Sequence, residues 1–339
     1  MKLSVLDQST ASQGKTQDVA IRETLALAKH CDALGYHRYW VSEHHNSGNI
    51  VGTAPEVLMA AIAATTPRIR IGSAGVMLPH YSSFKVAEQF RVLEAIAPGR
   101  IDLGVGRAPG SDQLTSRALN PNPQNVHDQF PQQVQELQHW VTGTALPDDH
   151  PFKRVIAHPT GPTFPEMWIL GSSDYGAQLA AYFGMPYAFA YFFSYGFDVD
   201  KALELYRKNY RPSELHPKPQ ATICVWALAA DTEAEALYQF KSRERALIER
   251  ESGIRQPLLS PEEATARALS PHEQAFSEKL LRHAVVGTAA QVKARLDALA
   301  KRLDLDELVV VTWTYDAAPR MRSYELLAEA YGLEKSGAV

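Results

Sequence analysis

The sequence predicts a closed (β/α)8 barrel elaborated by two insertions. Short apolar runs alternate with helical patterns along the 339 residues, the runs number eight, and no compositional shift marks a second domain. Residues 1–339 are therefore expected to form one domain, since barrels of this kind run well beyond 250 residues when loops are enlarged.

The first third of the chain carries four strand–helix units. Residues 2–6 are an apolar run, and 18–35 place Ile21, Leu25, Ala28 and Cys31 at helical spacing before Gly35, a helix stop. Residues 38–42 make a second strand, followed by an Ala-rich helix over 54–66 with Pro55 in its first turn. A third strand, 69–78, is interrupted by small residues; helix 83–97 ends at Pro98-Gly99, and strand 101–105 follows. The rhythm resumes with strand 167–170, helix 174–183, strand 186–190, helix 198–210, strand 220–229 and helix 231–250, and closes with helix 288–302, strand 307–312 and helix 319–331.

Two stretches break the repeat. Residues 143–166, rich in Pro, Gly and His, read as a long loop before the fifth strand. Residues 251–285 carry Pro257, Pro261 and Pro271 among short helical pieces between strands seven and eight. Loops of this length in a compact domain are usually functional, and the second is expected to be a lid.

Composition removes several classes of function. A net charge of −4 speaks against a nucleic-acid partner, which needs clustered Lys and Arg. The N-terminus turns polar too soon for a signal peptide and no apolar run is long enough to span a membrane, so a cytoplasmic protein is expected. Cys31 and Cys224 lack ligand spacing and read as core residues, and no metal site is expected because the only His cluster, His44-His45, has no further ligands to complete it.

In such a barrel the active site forms where the strands end. After the second strand stand Glu43-His44-His45-Asn46, an acid–base set for work near neutral pH, although Glu43 taken alone suits loop bonding equally. After the third, Gly72-Ser73-Ala74-Gly75 suits either the close approach of a flat ring or tight packing within the barrel. After the fourth, Gly106-Arg107-Ala108-Pro109-Gly110 lacks dinucleotide and P-loop spacing; Arg107 there suits a phosphate or a plain salt bridge. After the fifth, Gly171-Ser172-Ser173-Asp174-Tyr175-Gly176 opens into a helix, an anion site and an N-cap at once. Tyr191, Phe192 and Trp313, near later strand ends, are candidates for an apolar substrate pocket or for core. Specificity is expected from the loops at 43–54, 108–125, 143–166 and 251–285.

In this order and spacing, Ser42-Glu43-His44-His45, the run Ile71–Pro79, Pro98–Gly104 leading to Arg107, and Gly171-Ser172-Ser173 resemble the bacterial luciferase-like, flavin-dependent monooxygenase family over essentially the whole chain. More narrowly, Gly106–Asp112 is similar to a subgroup of luciferase-family oxidoreductases with no settled substrate. The resemblance implies FMN at the C-terminal face, used in its reduced form with O2 on a small organic substrate. It implies a cis peptide between Ala74 and Gly75 against the flavin ring, His44 as the catalytic histidine, and Glu43 orienting either His44 or its loop. Gly106 stands where luciferases carry a reactive cysteine, Arg107 near the flavin phosphate, and Ser172, Ser173, Tyr175 and Gly176 at the phosphate turn. A separate NAD(P)H:flavin reductase is implied, because no dinucleotide fingerprint is visible, and a homodimer formed through helices 54–66 and 83–97 is the usual family state. Two alternatives stand beside the monooxygenase. One is a deazaflavin-dependent hydride-transfer oxidoreductase, which would want a basic channel beyond the phosphate turn; the other is a non-catalytic flavin-binding protein.

Overall fold

The computed structural model describes residues 1–121, 128–194 and 196–334. In chain order its elements are β1 (Lys2–Asp7), α1 (Gln17–Leu34), β2 (Arg38–Val41), α2 (Pro55–Ala63), β3 (Arg70–Met77), α3 (Ser83–Ile96), β4 (Ile101–Gly106), α4 (Gln113–Leu119), α5 (Phe130–Thr142), β5 (Glu166–Gly171), α6 (Asp174–Phe183), β6 (Tyr187–Phe189), α7 (Tyr191–Ser194), α8 (Val199–Asn209), β7 (Ala221–Ala230), α9 (Glu233–Glu251), α10 (Pro261–Ala266), α11 (Pro271–His283), β8 (Val285–Thr288), α12 (Ala289–Leu303), β9 (Glu307–Val311) and α13 (Ala317–Tyr331). Eight strands close a ring in the order β1-β2-β3-β4-β5-β6-β7-β9, every neighbouring pair parallel. The expected (β/α)8 barrel is thus the observed fold.

Each strand is apolar because both of its faces are covered. In β2, Tyr39 and Val41 pack outward with Leu27 and Phe90 under the helices, whereas Trp40 joins Trp168, Cys224 and Trp226 in a separate inner cluster. Helix α1 stops at Gly35, whose φ of 85° is the left-handed conformation that closes a helix with least strain.

Strand β8 is an addition to the eight expected. It pairs with Ala227–Ala230 of β7, while the preceding residues of that strand, Ile223–Trp226, pair with β9. Its four residues are too few to display an alternating pattern. Within the expected loop 108–125, Gln113–Leu119 form α4, capped by Asp112; residues 122–125 of that loop lie outside the described residues, as do 335–339 of the expected domain 1–339. The 143–166 insertion has no helix or strand before Glu166. It is tied to the outer helices by Trp140 Nε1 donating to the Val155 carbonyl at 3.1 Å and Arg91 Nε to that of Pro159 at 2.8 Å.

The second insertion is more regular than the sequence suggests. Helices α10 and α11 each begin with a capping box, Ser260 with Glu263 and Ser270 with Glu273. Pro261 and Pro271, which interrupt the pattern on paper, are first-turn residues whose missing N–H costs nothing there. Leu258 donates its N–H to the carbonyl of Ala11 at 2.8 Å and accepts one from Gln13 at 2.8 Å, just beyond the end of β1. Leu258 and Leu280 also join the inner cluster, and α10 and α11 pack against α9.

The opposite mouth is sealed by charge. Arg38 Nη1 donates to Asp102 and Glu166, each at 2.8 Å, and its Nε to Glu307 at 3.0 Å. Arg70 holds the other oxygen of Asp102, and Trp40, Trp168 and Ser4 donate to Asp102, Glu166 and Glu307 respectively. All of these side chains stand at or near strand starts.

Candidate active site at the C-terminal mouth

A cavity of about 330 Å³ opens at the strand ends. It is lined by nine of the ten residues singled out from the sequence: His44, Ala74, Gly75, Gly106, Arg107, Ser172, Ser173, Tyr175 and Gly176. Glu43 is absent from the lining.

The wall contributed by β3 and β4 is shaped by close backbone packing. The Ala74–Gly75 peptide is cis, and the pairing of β3 with β4 slips between Ser73 and Val76. Ser73 Oγ donates to the Gly104 carbonyl at 2.9 Å and accepts from its N–H at 3.1 Å. A Cβ on Gly104 would collide with the Ser73 carbonyl, and one on Gly75 would come within 2.8 Å of the Gly104 carbonyl oxygen. Packing therefore demands glycine at both positions. Gly106 differs: a Cβ there would meet nothing within 4 Å, so its bareness keeps space open in the cavity.

The turn after β5 presents donors without internal acceptors. Ser173 is the N-cap of α6, yet its side chain makes no capping bond. Among the described residues neither the Ser172 nor the Ser173 hydroxyl is given a partner, and Arg107 forms no salt bridge; its guanidinium lies 3.8 Å from the centre of the Tyr175 ring. Asp174, the carboxylate of this turn, is engaged by Lys201 at 2.5 Å. Two hydroxyls, an unpaired guanidinium and the positive end of a ten-residue helix converge as an anion cradle.

His44 is held by its backbone N–H to the Gly52 carbonyl at 3.0 Å and by Nδ1 to Ser42 Oγ at 3.2 Å. Burial, helped by His45 and Arg255 and opposed by Glu43, lowers its pKa from 6.5 to about 4, so the imidazole is neutral near pH 7. Glu43 turns away from it. Its Oε1 accepts from Tyr81 Oη at 2.7 Å and faces His45 Nε2 at 2.8 Å, while Oε2 accepts the Met77 N–H at 3.1 Å. Of the two tasks the sequence left open for Glu43, its contacts are to the loop and not to His44.

Sequence reasoning missed Gln8 and Phe130, which also line this cavity, because no motif surrounds them; Met77, inside the run Ile71–Pro79 but given no role there, lines it too. Cys224 belongs to the inner core as expected but lines the cavity as well; burial raises its pKa to about 12, leaving a protonated thiol. Tyr191 packs against the outer core, whereas Phe192 and Trp313 line a second compartment of about 120 Å³. This compartment shares Gln8, His44, Gly110, Phe192 and Phe193 with the first. Its other wall comes from Arg243, Leu247 and Arg250 of α9, a signal present in the sequence as an i, i+4, i+7 stripe but hidden in a strongly charged helix.

Residues 1–305 match the luciferase-like monooxygenase family. The chain is 44% identical over 332 residues to the uncharacterized protein YwcH of Bacillus subtilis, covering 98% of this chain and 99% of that one. It is 36% identical to the N-acetyl-S-alkylcysteine monooxygenase of the same organism, covering 97% and 98%. Among solved structures, the apo form of MsnO8 superposes with a TM-score of 0.88 at 33% identity, covering 99% of this chain and 98% of that one. The chain belongs to the luciferase-like monooxygenase family and is an oxidoreductase of that family.

Proposed function

We propose that this enzyme takes reduced FMN and O2 as co-substrates and oxygenates a small organic compound. The observation that carries the reading is the anion cradle of Arg107, Ser172, Ser173 and the α6 N-terminus beside the open wall at Gly106. These residues would hold a flavin phosphate at the turn, and Ala74, Gly75, Tyr175 and Gly176 line the cavity that would take the rest of the cofactor. Bound reduced FMN supplies the electrons that activate O2 for transfer of one oxygen atom to the substrate.

The remaining work falls to the chain. Arg107 and the helix dipole would hold the phosphate. His44, neutral at working pH and with one ring nitrogen oriented by Ser42, takes up or hands on a proton at the other. Glu43 keeps the loop bearing His44 in register with Met77. The lid of residues 251–285 excludes water from the mouth. The relative named N-acetyl-S-alkylcysteine monooxygenase supports oxygenation of a small organic compound.

A separate reductase supplies the flavin in this reading, and the protein is cytoplasmic; no described helix is long and apolar enough to cross a membrane. A homodimer through α2 and α3 is supported by a surface groove of about 480 Å³ bearing Val57, Val92 and Ile96, which are 63%, 48% and 48% exposed.

The test is an anaerobic titration with reduced FMN, followed by rapid mixing with oxygenated buffer. Tight binding and a transient absorbance unlike free reduced or oxidised FMN, shortened in His44→Ala, support the reading. No binding of reduced FMN overturns it, and a deazaflavin coenzyme is then titrated in the same way.

A further inference from the structure

The second compartment has an unusual charge. Arg243, Arg250 and Arg255 all line it, and no Asp or Glu does. Arg243 is buried, its guanidinium 4.1 Å from the centre of the Trp226 ring. The side chains of Arg250 and Arg255 make no ion pair or hydrogen bond among the described residues. Phe192, Leu247 and Trp313 supply apolar wall, and Gln8, Ser47 and Asn49 supply uncharged polar groups. Trp226 adds a buried indole N–H without an acceptor among the described residues.

Guanidinium groups held against low-dielectric walls create a concentrated positive field, and a carboxylate satisfies it through short, charge-assisted hydrogen bonds. No carboxylate lines the compartment beside these cations, so an anion entering it meets no competing counter-charge in the wall. The apolar walls at the same time suit a hydrocarbon or similar body. His44 and Phe192 stand at the junction with the flavin-sized cavity, so a molecule anchored at the arginines reaches the reacting end.

We propose that this compartment recognises an organic anion, and that the substrate carries a carboxylate which Arg243, Arg250 and Arg255 hold while its apolar part extends past Phe192 towards His44. Its catalytic meaning rests on the flavin reading of the adjoining cavity; the affinity it predicts does not.

The experiment is calorimetric titration of the full chain with butyrate, hexanoate and octanoate, each against its primary amide. The same titrations follow on the doubly substituted R250Q/R255Q protein, and reduced FMN is titrated anaerobically into both proteins. At least one acid is expected to bind about tenfold or more tightly than its amide, and the substitutions to reduce that preference to about twofold or less while FMN affinity is retained. Equal affinity for acid and amide, no binding of any acid, or a preference indifferent to the substitutions overturns the proposal. So does a loss of FMN affinity as large as the loss of acid affinity, since the arginines would then serve the flavin phosphate. An acid preference that depends on the arginines, in a protein that binds no FMN, supports the anion site and removes the flavin reading instead.

Discussion

Glu43 accepts the backbone N–H of Met77 at 3.1 Å, so the end of β2 is tied to the end of β3 immediately beside the cavity. Its other oxygen meets Tyr81 and His45, and the carboxylate is almost wholly buried. Glu43→Gln should therefore act on stability and flavin affinity before proton transfer. Losing a charged, buried acceptor costs about 1–3 kcal/mol. Chemical denaturation and reduced-FMN titration check this. Unchanged stability with a collapsed turnover would instead make Glu43 an acid–base residue.

The neutral His44 ring makes stability depend on pH in a defined direction. In the unfolded chain an imidazole protonates near 6.5, whereas in the fold His44 resists until about 4. Between these values the unfolded state binds the extra proton, so the contribution is full above 6.5 and is lost as the pH falls towards 4. His37, lowered to about 4 by burial and neighbouring cations, adds a second slope of the same sign. His44→Gln should flatten the fall by on the order of 1–2 kcal/mol, allowing for partial exposure of the ring. Urea unfolding at a series of pH values tests it; an identical slope in the variant would place the proton elsewhere.

How far the site could be read from the chain depended on how local its causes are. His44, Arg107 and Ser172-Ser173 follow directly from strand ends, because barrel geometry brings every such end to one mouth. The function of Glu43 did not follow, since it is decided by Met77 and Tyr81, thirty-odd residues away in sequence. The same holds for the basic compartment, which joins α9 to β7, β9 and the loop after β2. Pro261 and Pro271 were read as interruptions because a proline at a first helical turn looks the same on paper as one that ends a helix. Arg38 and Asp102 appeared only as polar residues in strands; the network they form joins five different strands.

Gly106 and Gly104 are two residues apart yet should respond oppositely to a side chain. Gly106 faces open cavity, so Gly106→Leu should fold with little change in melting temperature while blocking reduced-FMN binding. Gly104→Ala drives a methyl into the Ser73 carbonyl and should destabilise by about 1–3 kcal/mol, as overpacking does. Thermal melting and flavin titration of both variants separate the cases. A Gly106→Leu protein that binds flavin normally would show that the cofactor lies elsewhere.

Arg38 pairs with three carboxylates at the closed mouth, two of which it shares with Arg70. Burial alone would favour protonated Asp102, but Arg38 and Arg70 outweigh it and keep its carboxyl below 3.8. The contribution of that pairing is therefore present above 3.8 and is lost only as the pH falls through the lower folded value. Arg38→Met leaves Glu307 buried with only the Ser4 hydroxyl and should cost about 3–5 kcal/mol near pH 7. A carboxylate stranded in a buried site without its cation takes up a proton more readily in the fold than in the unfolded chain. The deficit of the variant should consequently narrow as the pH is lowered towards 5, while the wild type is losing stability through its histidines. Denaturant midpoints of the two proteins across that range provide the comparison. A deficit that stays constant with pH would mean that the arginine supports the barrel by packing against Trp168 and not by its charge.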